Sequence, residues 1–118
     1  MKAIVKSIDT GSHVAFDKYW PEDETCFGLW LTVQVGPDNE EGGHLYQILA
    51  CTPDWIKKEY AQEGTVWGRH MLIVFHFDHD RIESEITRYI EGCTGKDFWE
   101  LAQKVARIGA WEFEDYQD

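Results

Sequence analysis

Thr25-Cys26-Phe27-Gly28-Leu29-Trp30-Leu31-Thr32-Val33-Gln34-Val35 decides the fold. Phe27, Leu29, Leu31, Val33 and Val35 alternate with Cys26, Gly28, Trp30, Thr32 and Gln34. That period of two places one apolar row on a sheet face. Downstream, Gly36-Pro37-Asp38-Asn39-Glu40-Glu41-Gly42-Gly43 has turn chemistry and Leu45 to Cys51 returns as a second strand, so the pair reads as a long hairpin. Upstream, Lys2 to Asp9 reads as a strand that ends at the turn Asp9-Thr10-Gly11-Ser12, and a long acidic and aromatic loop joins it to the hairpin.

Beyond the hairpin the pattern changes to helix. Thr52-Pro53 starts a short one: the hydroxyl caps free N–H groups and the proline sits where its missing N–H costs nothing. Glu63-Gly64 marks its expected end. Met71-Leu72-Ile73-Val74-Phe75 is a continuous apolar run, the pattern of a strand covered on both faces, which places it in the middle of the sheet. Ile82, Ile86, Tyr89, Ile90 and Cys93 then fall at helical spacing, and Phe98, Leu101, Val105 and Ile108 repeat the stripe after Gly95. Asp97-Phe98-Trp99-Glu100 has capping-box spacing, and Gly109 is placed to end the last helix. Trp55 and Trp99 are assigned to the core. The order β-β-β-α-β-α-α, with room for a short final strand, predicts an α+β fold: an antiparallel sheet with two or three helices packed mainly on one face. Length and composition predict a single domain over residues 1–118, since a chain 43% hydrophobic can bury a self-sufficient core.

The chain carries 22 acids against 11 bases, a formal charge of -11, and the excess runs through both halves. Such a surface repels phosphate backbones and anionic lipid, so nucleic acid and membrane are not expected partners; a basic protein is. Three cysteines, Cys26, Cys51 and Cys93, share no C-x-x-C spacing and read as free thiols. With no signal-peptide pattern and no apolar stretch of membrane-spanning length, the expected location is the cytoplasm.

Two imidazoles and two carboxylates in His76-Phe77-Asp78-His79-Asp80 could ligate a metal. Strand geometry puts only His76 and Asp78 on one face, and Asp78 or Asp80 is an ordinary helix cap, so no metal is expected. Arg69 could orient an anion, yet no phosphate loop accompanies it, and Cys51 and Cys93 read as core thiols and not nucleophiles. No catalytic residue and no cofactor is assigned. The chain reads as a binder; a small metal-dependent or thiol enzyme and a general acidic interaction domain are the alternatives.

Aromatic and acidic residues are interleaved in Tyr19-Trp20-Pro21-Glu22-Asp23-Glu24 and in Trp111-Glu112-Phe113-Glu114-Asp115-Tyr116. Rigid amphipathic rings supply contact area while the carboxylates steer a basic partner. Trp20 and Tyr116 are the candidate anchors, with Glu22, Asp23, Glu24, Glu112, Glu114 and Asp115 as the candidate pairing charges. The competing reading is that Trp111 and Phe113 clamp the last segment onto the sheet.

Taken together, the motifs resemble those of the immunity protein 8 family of bacterial polymorphic toxin systems. The likeness rests on Met1-Lys2-Ala3, Tyr19-Trp20-Pro21-Glu22-Asp23 with Phe27-Gly28, Val35-Gly36-Pro37, Cys51-Thr52-Pro53-Asp54-Trp55, Gly68-Arg69-His70 with Leu72-Ile73-Val74, and most specifically the closing Trp111-Glu112-Phe113-Glu114-Asp115-Tyr116. The resemblance implies a small cytoplasmic α+β domain that binds and neutralises a cognate toxin domain. Where such a toxin is a nuclease, an acidic protein can occupy its basic phosphate-binding surface.

Overall fold

Leu29, Leu31, Val33 and Val35 are buried and Trp30 between them is exposed, so the alternating row faces a core on one side only. The computed structural model describes residues 1–113. Within them lie β1 (Ala3–Asp9), β2 (Gly28–Pro37), β3 (His44–Cys51), α1 (Pro53–Glu59), β4 (Met71–Ile73), α2 (His79–Glu91), α3 (Phe98–Val105) and β5 (Ala110–Trp111), with a 3-10 turn at Phe16–Lys18. This is the expected α+β fold, including the short final strand.

β1, β2 and β3 form an antiparallel meander, with Ala3 opposite Pro37 and Gly28 opposite Cys51. Val5 and Ile8 both pack towards the core although three residues apart. A bulge between Val5 and Ser7 absorbs the extra residue and restores the register. On β3's far edge two short strands share the available backbone: β5 runs antiparallel beside Tyr46 and Gln47, and β4 runs parallel beside Leu49 to Cys51. The parallel pair requires a crossover, and α1 with the turns after it supplies one. α1 ends at Glu59, sooner than Glu63-Gly64 suggests. Turns then lead to Gly64, whose φ of +70° suits glycine.

The reading of Met71 to Phe75 as a central strand is corrected. β4 has three paired residues and lies at the sheet's edge, because no further strand among the described residues pairs with it. Leu72 and Val74 pack on the core, whereas Ile73 and Phe75 point outward into solvent.

α2 buries Ile82, Ile86 and Ile90, and α3 buries Leu101, Ala102 and Val105, in one core with the inner residues of β2 and β3. Each helix is capped as its sequence requires: Asp78 accepts from the Arg81 N–H and Asp97 from the Glu100 N–H. Gly109 does not cap α3, which ends at Val105. It lies beyond the helix against the sheet, where an added Cβ would stand 3.0 Å from the Tyr46 Cβ. Trp99 is not a core residue: it lies off the buried stripe and is 63% exposed.

Candidate partner-binding surfaces

Helices α2 and α3 occupy one face of the sheet, so the opposite face is covered only in part. There α1 lays the Trp55 ring directly on Gly28, where a Cβ would fall 2.2 Å from the indole. The next outward residue of β2, Trp30, is 53% exposed. Register carries the same face across the sheet: Trp30 lies opposite Leu49, which lies opposite Met71, and Cys51 lies opposite Ile73. Phe75, two residues past Ile73, is 81% exposed. Trp30, Ile73 and Phe75 thus bring exposed apolar area to one end of the sheet, a feature that marks interaction surfaces on folded domains.

At this end the acidic loop is tied down. Phe77 is buried, and the rings of Tyr19, Trp20 and Phe27 meet it edge-on at centroid distances of 5.7, 5.0 and 5.3 Å. Its N–H donates to the Glu24 carbonyl at 2.7 Å, fixing the loop to the segment after β4. Trp20 keeps 64% of its surface in solvent despite this contact, and Glu22, Asp23 and Glu24 are exposed beside it. Asp23 also builds its own turn, accepting the Thr25 N–H at 2.9 Å and the Thr25 hydroxyl at 2.8 Å. These bonds, the backbone one foremost, hold its carboxyl below the usual range.

The C-terminal segment lies elsewhere. Trp111 pairs with Tyr46 near the start of β3, whereas the Trp20 loop meets the end of that strand, so the two are on the order of 17 Å apart along the sheet. Trp111 is half-buried, and its Nε1 donates to the Nδ1 of His44 at 3.0 Å. Glu112 extends the ladder: its N–H donates to the Leu45 carbonyl at 3.0 Å and its Oε1 accepts the Leu45 N–H at 3.1 Å. Trp111 and Glu112 therefore clamp the segment to the sheet. Glu114, Asp115 and Tyr116 lie outside the described residues.

The His/Asp cluster is dispersed among structural tasks. Asp78 caps α2, and His79 packs on Phe16 at 4.3 Å with its Nδ1 3.0 Å from Asp80 and its Nε2 3.5 Å from Glu83. Among the described residues no group of three or more His, Cys, Asp or Glu is arranged to hold a metal ion. Cys51 and Cys93 are buried, and desolvation pushes both thiols up, Cys51 to about 11, the reverse of what a nucleophile needs. Arg69 is exposed before β4. Sequence reasoning missed Trp30, Ile73 and Phe75 as surface residues. Trp30 was signalled by its place among Gly28, Thr32 and Gln34, the polar row of β2.

The family model for Immunity protein 8 matches residues 3–116. The chain belongs to this family. No curated protein and no solved structure matches it. Membership in an immunity protein family supports a toxin-neutralising, non-enzymatic role with a toxin protein as partner. Among the described residues no helix is long and apolar enough to cross a membrane.

Proposed function

We propose that this immunity protein neutralises a basic cognate toxin domain in the cytoplasm by docking the sheet face that α2 and α3 leave open against it. The observation that carries this reading is the exposure of Trp30, Ile73 and Phe75 at the end of the sheet where Phe77 anchors the loop that bears exposed Trp20, Glu22, Asp23 and Glu24. Apolar area of this kind supplies binding energy once desolvated, and the carboxylate rim selects and orients a basic surface. A nuclease fits the charge argument best, because it must carry positive groups to hold phosphate, and a chain of charge -11 presents the complementary field. The same charge argues against nucleic acid or an anionic membrane as the direct ligand.

The test is protection. Cells expressing the cognate toxin domain are expected to survive with the wild-type chain and to die with Trp30→Ala combined with Phe75→Ala, although that variant remains folded. Full protection by the folded double variant would place the interface elsewhere, and absence of protection by the wild type would remove the assignment.

A further inference from the structure

Five aromatic rings meet where the starts of β3 and α3 converge with β5. His44 packs against Phe98 at 4.4 Å, Phe113 at 5.1 Å and, stacked, Trp111 at 5.9 Å. Trp99 stands edge-on to Trp111 at 5.4 Å, leaving its ring largely in solvent. A groove of about 420 Å³ separates this cluster from the β2–β3 loop, with Phe98, Trp99 and His44 on one side and Glu40 and Glu41 on the other. The loop is held close: a Cβ on Gly36 would fall 2.2 Å from the Gly42 carbonyl oxygen, and one on Gly43 would fall 2.2 Å from that of Val35. Backbone this tightly apposed fixes the base of the loop that carries the two glutamates.

No lysine or arginine lines it. Met1 does line it, with its ammonium donating to the Gly95 carbonyl, and Lys6 Nζ donates to the Glu40 carbonyl. A groove lined by an exposed indole and two glutamates suits a cation that is weakly hydrated, planar and long-stemmed, because an aromatic ring's negative face and carboxylates attract the same group.

We infer that this groove receives an arginine side chain of the toxin, its guanidinium over Trp99 and paired with Glu40 and Glu41. The inference rests on the reading of the chain as a binder of a basic toxin, and it adds a second contact at the opposite end of the sheet from Trp20.

A probe independent of any toxin comes first. The peptide acetyl-Gly-Arg-Gly-amide is titrated into 15N-labelled protein while the indole N–H resonances are followed. A saturable shift centred on Trp99 is expected, absent with the glutamine peptide and weakened by roughly tenfold in Trp99→Leu and in Glu40→Gln with Glu41→Gln. Equal shifts of all the indoles, or none at Trp99, overturn the groove as an arginine site. The same variants are then expected to bind the toxin domain about tenfold more weakly than wild type at unchanged thermal midpoint. Unchanged toxin affinity in them, with affinity lost in Trp30→Ala with Phe75→Ala, overturns the proposed occupant and leaves the functional reading intact. A toxin domain that fails to bind even the wild-type chain overturns both.

Discussion

Thr52 shows how one side chain can serve two elements. It is fully buried, and its Oγ1 accepts the Phe27 N–H at 3.1 Å and the Trp55 N–H at 3.4 Å, joining the entry to β2 with the first turn of α1. Thr52→Ala removes the cap and leaves the Phe27 N–H without its acceptor, so a loss of about 2 to 4 kcal/mol is expected in urea denaturation at unchanged slope. The cap was legible from Thr52-Pro53; the second bond was not, because it joins residues distant in sequence. Cys51 gives a pH signature. Burial raises its thiol from 9.0 to about 11, and burial raises the Tyr46 phenol as well. Both stay protonated in the folded chain while the unfolded chain ionises, so the Cys51 contribution is complete below pH 9 and is withdrawn as pH rises from 9 towards 11, whereas that of Tyr46 is complete below pH 10 and persists beyond the Cys51 window. Denaturation midpoints should fall across that window, and Cys51→Ala, less stable at neutral pH, should show a shallower decline.

At the scale of elements, helices were easier to read than the sheet's order. Ile82, Ile86 and Ile90 lie on one stripe, and the structure buries all three. Trp99 sits one residue after Phe98 and so about 100° off the Phe98-Leu101-Val105 stripe, a signal that the core assignment overlooked. The run Met71 to Phe75 misled for a different reason. Continuous hydrophobicity describes a doubly covered strand or an edge strand with an exposed apolar row, and composition alone does not separate them. One comparison tests both elements. Ile86→Ala or Ile90→Ala should lose about 2 to 5 kcal/mol through lost transfer energy and the cavity left behind. Ile73→Lys should stay within about 0.5 kcal/mol of wild type, because half of Ile73 is already in solvent. Equal midpoints for the core variants, or unfolding by Ile73→Lys, would mean that the faces are assigned the wrong way round.

For the whole molecule, charge and shape act on different rates. A uniformly acidic chain attracts a basic partner from a distance, whereas the exposed rings act only after contact, so the field governs association and the rings govern dissociation. The sequence disclosed both interleaved segments, but the fold places the Trp20 loop and the Trp111-Glu112 pair at opposite ends of β3 and gives their carboxylates unequal freedom. Glu22 and Glu24 extend from a loop anchored at its backbone, whereas the Glu112 carboxylate accepts the Leu45 N–H and belongs to the sheet. Charge reversal is therefore a clean probe only in the first segment; Glu112→Lys should also lower stability by removing that bond. With the toxin domain in stopped flow, Glu22→Lys with Glu24→Lys should slow association by about tenfold at low ionic strength, with little change in dissociation, and the gap from wild type should narrow as salt screens it. Trp20→Ala should do the reverse, leaving association nearly unchanged and raising the dissociation rate by about thirtyfold, the kinetic equivalent of about 2 kcal/mol. If both folded variants keep wild-type rates at every salt concentration, the Trp20 loop lies outside the interface and the carboxylates beside it serve only to keep the chain in solution.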